Sequence, residues 1–235
     1  MTLANTPTLV TGGGRGLGAA LARALARRGA HVVLVARTRS EVDQVTRAIR
    51  EDGGRAHGLV ADLGDKHAIY PLVGAASALV GDIDLLIHNA ATLGPTPLRL
   101  LLDTDCEDVE RALAVNVLGP IRLTKAIAGA MLVRGRGTVV AISSDAAVEA
   151  YPTWGAYGLS KAALEHMMRT FAAELADSGV RFVTVDPGEM RTRMHAEALP
   201  DADPATLTDP ALAAARIIAR IEDPAGTPSG SRVAT

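Results

Sequence analysis

Cysteine and aromatic residues are nearly missing from this chain, and so is any excess of charge of one sign. Its 235 residues include one cysteine, one tryptophan, three tyrosines and two phenylalanines. The lone cysteine, Cys106, excludes an internal disulfide framework. It stands in Asp103-Thr104-Asp105-Cys106-Glu107-Asp108, whose carboxylates raise a thiol pKa instead of activating it, so it reads as incidental. With aromatics at 3%, the core has to be built from Val, Leu, Ile and Ala, a composition that suits a parallel sheet covered by helices on both faces. Lys and Arg (24) nearly balance Asp and Glu (26), leaving a formal net charge of −2. That balance argues against nucleic acid or an anionic membrane as partner. No apolar stretch is long enough to span a bilayer. Residues Met1 to Asn5 carry neither the basic start nor the apolar core of a signal peptide. A reduced, cytoplasmic protein is the expectation.

What is present is a rhythm. Short β-branched runs alternate with amphipathic stretches about every thirty residues, as successive βαβ units do. Strands are predicted at Thr8–Thr11, His31–Ala36, Arg55–Ala61, Ile83–His88, Gly137–Ser143 and Arg181–Asp186, with a last short strand after the turn that begins at Asp223. Leu17, Leu21, Ala24 and Leu25 share one helical face, as do Leu164, Met167, Met168, Phe171 and Leu175. The expected fold is α/β: a Rossmann-like, doubly wound parallel sheet of about seven strands in a single domain over residues 1–235. Residues 189–210 break the rhythm with Pro200, Pro204 and Pro210, and read as a loop or small helical flap over a site.

Thr11-Gly12-Gly13-Gly14-Arg15-Gly16-Leu17-Gly18 leaves the first strand and opens the first helix. Glycines there let the backbone turn tightly and approach a pyrophosphate, which the free N–H groups of the helix then meet. A P-loop requires Lys-Ser/Thr after the last glycine, and Ala19-Ala20 follow instead. The second strand ends Val35-Ala36-Arg37. A site for NAD(H) places Asp or Glu there for the adenosine ribose. Ala36 removes that carboxylate, while Arg37 and Arg15 supply planar cations suited to a 2′-phosphate, favouring NADP(H) over NAD(H).

Tyr157-Gly158-Leu159-Ser160-Lys161 puts a phenol and an ammonium on one helical face. Carbonyl reduction needs a proton donor for the developing alkoxide, and a neighbouring cation lowers the pKa of a phenol. Together with the glycine turn, this pair resembles the short-chain dehydrogenase/reductases, and the likeness runs from residue 7 to about 192. Thr11, Gly12, Gly16 and Gly18 match Thr-Gly-xxx-Gly-x-Gly. Counting thirteen residues back from the tyrosine assigns the family's serine to Ser144, not Ser143. The family's asparagine is matched by Asn116 in Val115-Asn116-Val117-Leu118-Gly119.

The resemblance implies further roles. Tyr157 is the acid/base and Ser144 a donor to the same substrate oxygen. Lys161 binds the nicotinamide ribose, and Asn116 holds a water that relays protons. Gly12, Gly14, Arg15, Gly16 and Leu17 hold the pyrophosphate side, and Asp62-Leu63 touches the adenine. Asn89 and Ala90 hold the core of an Asn-Asn-Ala-Gly motif. Pro187, Gly188, Met190 and Thr192 belong to the segment that holds the carboxamide. His88 and Ala91 depart from that Asn-Asn-Ala-Gly pattern, and His88 reads as a structural imidazole. The remaining histidines show no metal-ligand spacing, and no metal is expected. The implied substrate is a small carbonyl or alcohol. A homodimer or homotetramer is expected through the helices bearing Asn116 and Tyr157. Tyr151 and Trp154 fit either an apolar pocket or a subunit contact. Two other readings remain: a dinucleotide-binding sensor without turnover, disfavoured by the complete Asn-Ser-Tyr-Lys set, and an epimerase or dehydratase on the same scaffold.

Overall fold

A computed structural model describes residues 2–235, leaving Met1 outside. The elements are β1 (Pro7–Thr11), α1 (Gly16–Arg27), β2 (His31–Ala36), α2 (Arg39–Glu51), β3 (Arg55–Val60), α3 (Ile69–Val80), β4 (Leu85–His88), α4 (Cys106–Leu113), α5 (Gly119–Arg134), β5 (Gly137–Ile142), α6 (Gly155–Glu174), β6 (Val180–Asp186), α7 (Arg193–Ala198), α8 (Pro210–Glu222) and β7 (Arg232–Ala234). The strands form one sheet in the order β3-β2-β1-β4-β5-β6-β7, each pair parallel. Among the described residues no helix is long and apolar enough to cross a membrane.

Alternation along the strands sends apolar side chains to both faces, and each face is roofed by helices. Val10, Val32, Leu34, Ile87, Val140 and Val185 pack against α1, α2 and α8 through Leu21, Leu25, Val45, Ile217 and Ile221. Leu9, Val33, Leu86, Val139 and Phe182 pack against α3, α5 and α6 through Ile69, Leu123, Met131, Leu164 and Met168. Met167 and Met168 are therefore core. The Phe182 ring stacks on Phe171 with centroids 5.5 Å apart.

Strand ends differ from expectation by one or two residues, and in each case the neighbour sets the limit. The fourth strand starts at Leu85, not Ile83, because its pairing to β1 begins at Thr8↔Leu85. The third stops at Val60, opposite the last residue of β2. The fifth stops at Ile142, and the sixth begins one residue early because Val180 faces Gly137. β7 is the expected last short strand, with Thr184↔Arg232 and Asp186↔Ala234 in register.

β1 lies between β2 and β4, so the chain runs outward from β1 in one direction and returns on its other side at β4. The loops after these two strands diverge and leave a crevice at the carboxyl ends, where open α/β sheets bind ligands. Beyond β6, a bridge between Met190 and Thr208 closes a loop that carries α7 over that edge.

Phe182 is fully buried, so Phe182→Ala is expected to lower the unfolding free energy by about 3–5 kcal/mol, read from equilibrium urea unfolding.

Candidate active site

The glycine turn is shaped by close approaches. Gly12 has φ +66°, and a Cβ there would meet Ala90 Cα and Asn89 Nδ2 at 2.8 Å; one on Gly18 would meet the Gly12 carbonyl oxygen at 2.1 Å. Asn89 Nδ2 donates to the carbonyls of Thr11 (2.9 Å) and Gly12 (3.2 Å). The Thr11 hydroxyl donates to the Ile87 carbonyl and accepts the N–H groups of Asn89 and Ala90 at 3.0 and 3.1 Å. The ends of β1 and β4 are thus tied together beneath the turn. α1 begins with no side-chain cap and no acidic residue in its first turn, so its unpaired N–H groups favour an anion.

From this turn one cleft of about 890 Å³ runs across the carboxyl edge of the sheet. Every residue that the sequence marked as catalytic or cofactor-binding lines it, with the exception of Asn116. At the adenosine end stand Ala36, Arg37, Asp62 and Leu63. Glu41, which the sequence reading passed over, lies beside Gly14 and pairs with Arg15 at 3.6 Å. The volume and the glycine-walled end with its arginines fit a dinucleotide.

Asn116 lies behind the cleft wall. Residues Ala114–Leu118 form a π-helical turn joining α4 to α5, and the extra residue turns Asn116 inward. Its Nδ2 donates to the Thr92 carbonyl and to Ser160 Oγ, both at 2.8 Å, while Oδ1 accepts the Thr92 N–H at 2.8 Å. Ser160 in turn donates to the Tyr157 carbonyl at 2.7 Å. With its amide so engaged, the side chain braces the helix that bears Tyr157.

Ser143 and Ser144 separate cleanly. Ser143 is buried and donates to Glu165 Oε1 at 2.6 Å, whereas Ser144 lines the cleft, close enough to Tyr157 to lower its pKa. The Ser144 hydroxyl also donates to Asp145 Oδ1 at 2.8 Å, and Tyr151 Oη donates to Asp145 Oδ2 at 2.9 Å. Trp154 meets the Tyr157 ring edge-on at 5.8 Å. Leu93, Ala146 and Tyr157 form a small apolar cluster that Met194 and Ala198 of α7 cover. Both aromatic residues left open by the sequence, Tyr151 and Trp154, line the cleft.

Lys161 and Tyr157 are both buried. Burial pushes the lysine down to about 8, against the raising influence of Glu165 and Asp186. Burial also raises the phenol above its ordinary range; Ser144 opposes this, and Asp186 and Asp145 add to it. The expected lowering by the lysine is not realised. Lys161 Nζ stands 5.5 Å from the ring centroid and donates instead to the Ile142 carbonyl at 2.6 Å, so desolvation outweighs a cation aimed elsewhere. His88 is structural as expected: fully buried, 2.9 Å from Thr124 Oγ1, and pushed down to about 3 by burial and then by Lys161. Cys106 is exposed at the start of α4, outside the cleft.

The short chain dehydrogenase family matches residues 7–203. A dehydrogenase/reductase SDR family member 4 from Bos taurus is 39% identical over 191 residues, 81% of this chain and 67% of its own. A short chain dehydrogenase from Shigella flexneri, solved with NADP, superposes with a TM-score of 0.84 at 30% identity over 91% of each chain. Another from Escherichia coli CFT073, solved with NADPH, superposes at 0.88 with 29% identity, covering 99% of this chain and 97% of its own.

Burying the lysine has a measurable cost. Between about 8 and its ordinary 10.5, the unfolded chain holds a proton that the folded one has shed, so stability rises with pH through that window. Lys161→Met is expected to exceed wild-type stability at pH 7, by an amount that vanishes above about pH 10.5, in urea unfolding curves taken across that range.

Proposed function

The chain belongs to the short-chain dehydrogenase family, and on that premise we propose that it is an NADP(H)-dependent oxidoreductase acting on a carbonyl or secondary alcohol. The observation that carries this reading is the convergence in one cleft of the Ser144–Tyr157 pair, Lys161 and the glycine turn with its arginines. When bound, the nicotinamide supplies or accepts the hydride.

The chain's own residues divide the remaining work. Tyr157, kept protonated by burial, donates to the substrate oxygen during reduction. Ser144 donates to the same oxygen and fixes the carbonyl against the cofactor. Lys161 would hold the nicotinamide ribose, and the Pro187–Thr192 segment the carboxamide. Arg37 and Arg15 would take the 2′-phosphate. Support for NADP(H) comes from Ala36, which leaves the end of β2 without a carboxylate; Glu41 already pairs with Arg15, so the 2′-phosphate would have to draw Arg15 away from it. The apolar cluster under α7 makes the 189–210 segment the substrate-side cover and favours a substrate with an apolar flank. Exposed Leu118 and Leu159 support assembly as a homodimer or homotetramer, and a cytoplasmic site of action fits this reading.

NADPH absorbance loss against a panel of ketones and aldehydes tests the activity. Tyr157→Phe is expected to keep NADPH binding while turnover falls about 10²–10⁴-fold; retained turnover overturns the acid/base role. Arg37→Asp and Ala36→Asp are expected to shift the NADPH/NADH preference towards NADH, and a wild type that already prefers NADH refutes the cofactor assignment.

A further inference from the structure

Behind Ser144 lies a concentration of charge that the mechanism above does not use. Glu165 of α6 is 4% exposed and Asp186 at the end of β6 is 8% exposed. One guanidinium hydrogen-bonds both. Arg232 on β7 directs Nε to Glu165 Oε1 at 2.8 Å and one terminal nitrogen to Asp186 Oδ2 at 3.0 Å. That nitrogen also donates to the backbone carbonyl of Ser144 at 3.2 Å. The same Glu165 oxygen accepts the Ser143 hydroxyl. One guanidinium therefore joins the catalytic helix, the serine turn, the strand leading into Pro187-Gly188, and β7. Such a fork, with several donors in one plane, is available to arginine alone. Two carboxylates this deeply buried are costly without it.

We propose that Arg232 is a positioning residue for this active site, holding the Ser144 backbone against α6 and offsetting the charges of Glu165 and Asp186 that face Lys161. The inference rests on the acid/base reading of Tyr157 and Lys161 given above. The surroundings of Lys161 fix the sign of the effect. From α6 it faces Glu165 and the phenol of Tyr157; from β6, Asp186; from β4, His88, neutral near pH 7; from β5, the Ile142 carbonyl. Tyr157 additionally faces Ser144 and Asp145 from the serine turn. Glu165 and Asp186 both favour a charged Lys161, and Asp186 disfavours the phenolate. Without Arg232 those influences act unopposed, so Lys161 and Tyr157 both hold their protons more tightly.

The chain has three lysines, Lys66, Lys125 and Lys161, so a carbon-13 NMR titration of labelled lysine side chains follows Lys161 without any need for a substrate. In Arg232→Met its midpoint is expected to rise by about one pH unit. Arg232→Lys should restore most of the wild-type value. Arg232→Met with Glu165→Gln should also move it back, although that protein lacks the arginine entirely; a purely structural tie would not produce this. NADPH-dependent carbonyl reduction should show its alkaline fall displaced upward in the same order. A Lys161 titration unchanged in folded Arg232→Met overturns the proposal. If Arg232→Met does not fold, Glu165→Gln alone must lower the Lys161 midpoint, and failure to do so overturns it equally. A wild type that titrates as described but reduces no carbonyl refutes the reductase reading and leaves the charge coupling standing.

Discussion

The hydroxyl of Thr11 holds two neighbouring strands together where the chain reverses its direction of travel across the sheet. It donates to Ile87 and accepts from Asn89 and Ala90, while the Asn89 amide returns two bonds to the turn above. Without this knot the glycine turn would be an irregular loop with unpaired backbone groups at the mouth of the crevice. With it, the uncapped start of α1 is fixed relative to the end of β4. Every other part of the cleft, from Arg37 at one end to Ser144 at the other, is placed with respect to that junction.

The opposite end of the cleft is built at a thermodynamic cost. A lysine, a phenol, two carboxylates and an imidazole are gathered beneath a surface where apolar side chains would be more stable. Each is accommodated differently. The imidazole of His88 stays neutral, the phenol keeps its proton, and the carboxylates share one guanidinium. Lys161 alone is left with a proton affinity near the working pH. A group poised in this way responds to small changes in its neighbours, which suits the proton transfer proposed for this site.

Much of this arrangement is legible in the sequence. Runs such as His31-Val32-Val33-Leu34-Val35-Ala36 announce strands by β-branching, the spacing of Tyr157 and Lys161 puts them on one helical face, and the family resemblance adds Ser144 to them. Strand ends were less accessible, because a strand stops where its neighbour stops pairing, and no local signal records that. The turn at Ala114–Leu118 contains no glycine or proline to mark the break in the helix. Glu165 and Arg232 lie 67 residues apart, one in an ordinary amphipathic helix and one in a three-residue strand, so nothing in either segment points to the other. Glu41 stood in the first turn of α2 like any helix-starting carboxylate. The raised pKa of Tyr157 is hidden from the sequence for a related reason. Spacing establishes that a cation is near, but whether charge or desolvation wins depends on how deeply the ring is buried and where the ammonium points.

The π-helical turn also constrains how this segment can change. One surplus residue sets α4 and α5 out of phase by about 100°, so the two helices present different faces to the molecule although they run on as a single rod. Deleting one residue anywhere between Ala114 and Leu118 would regularise the rod and swing all of α4 around its axis. Asn116 would then part from Thr92 and Ser160. Drift in this stretch is therefore confined to substitutions that keep the residue count, whereas loops elsewhere on the surface can gain or lose residues freely.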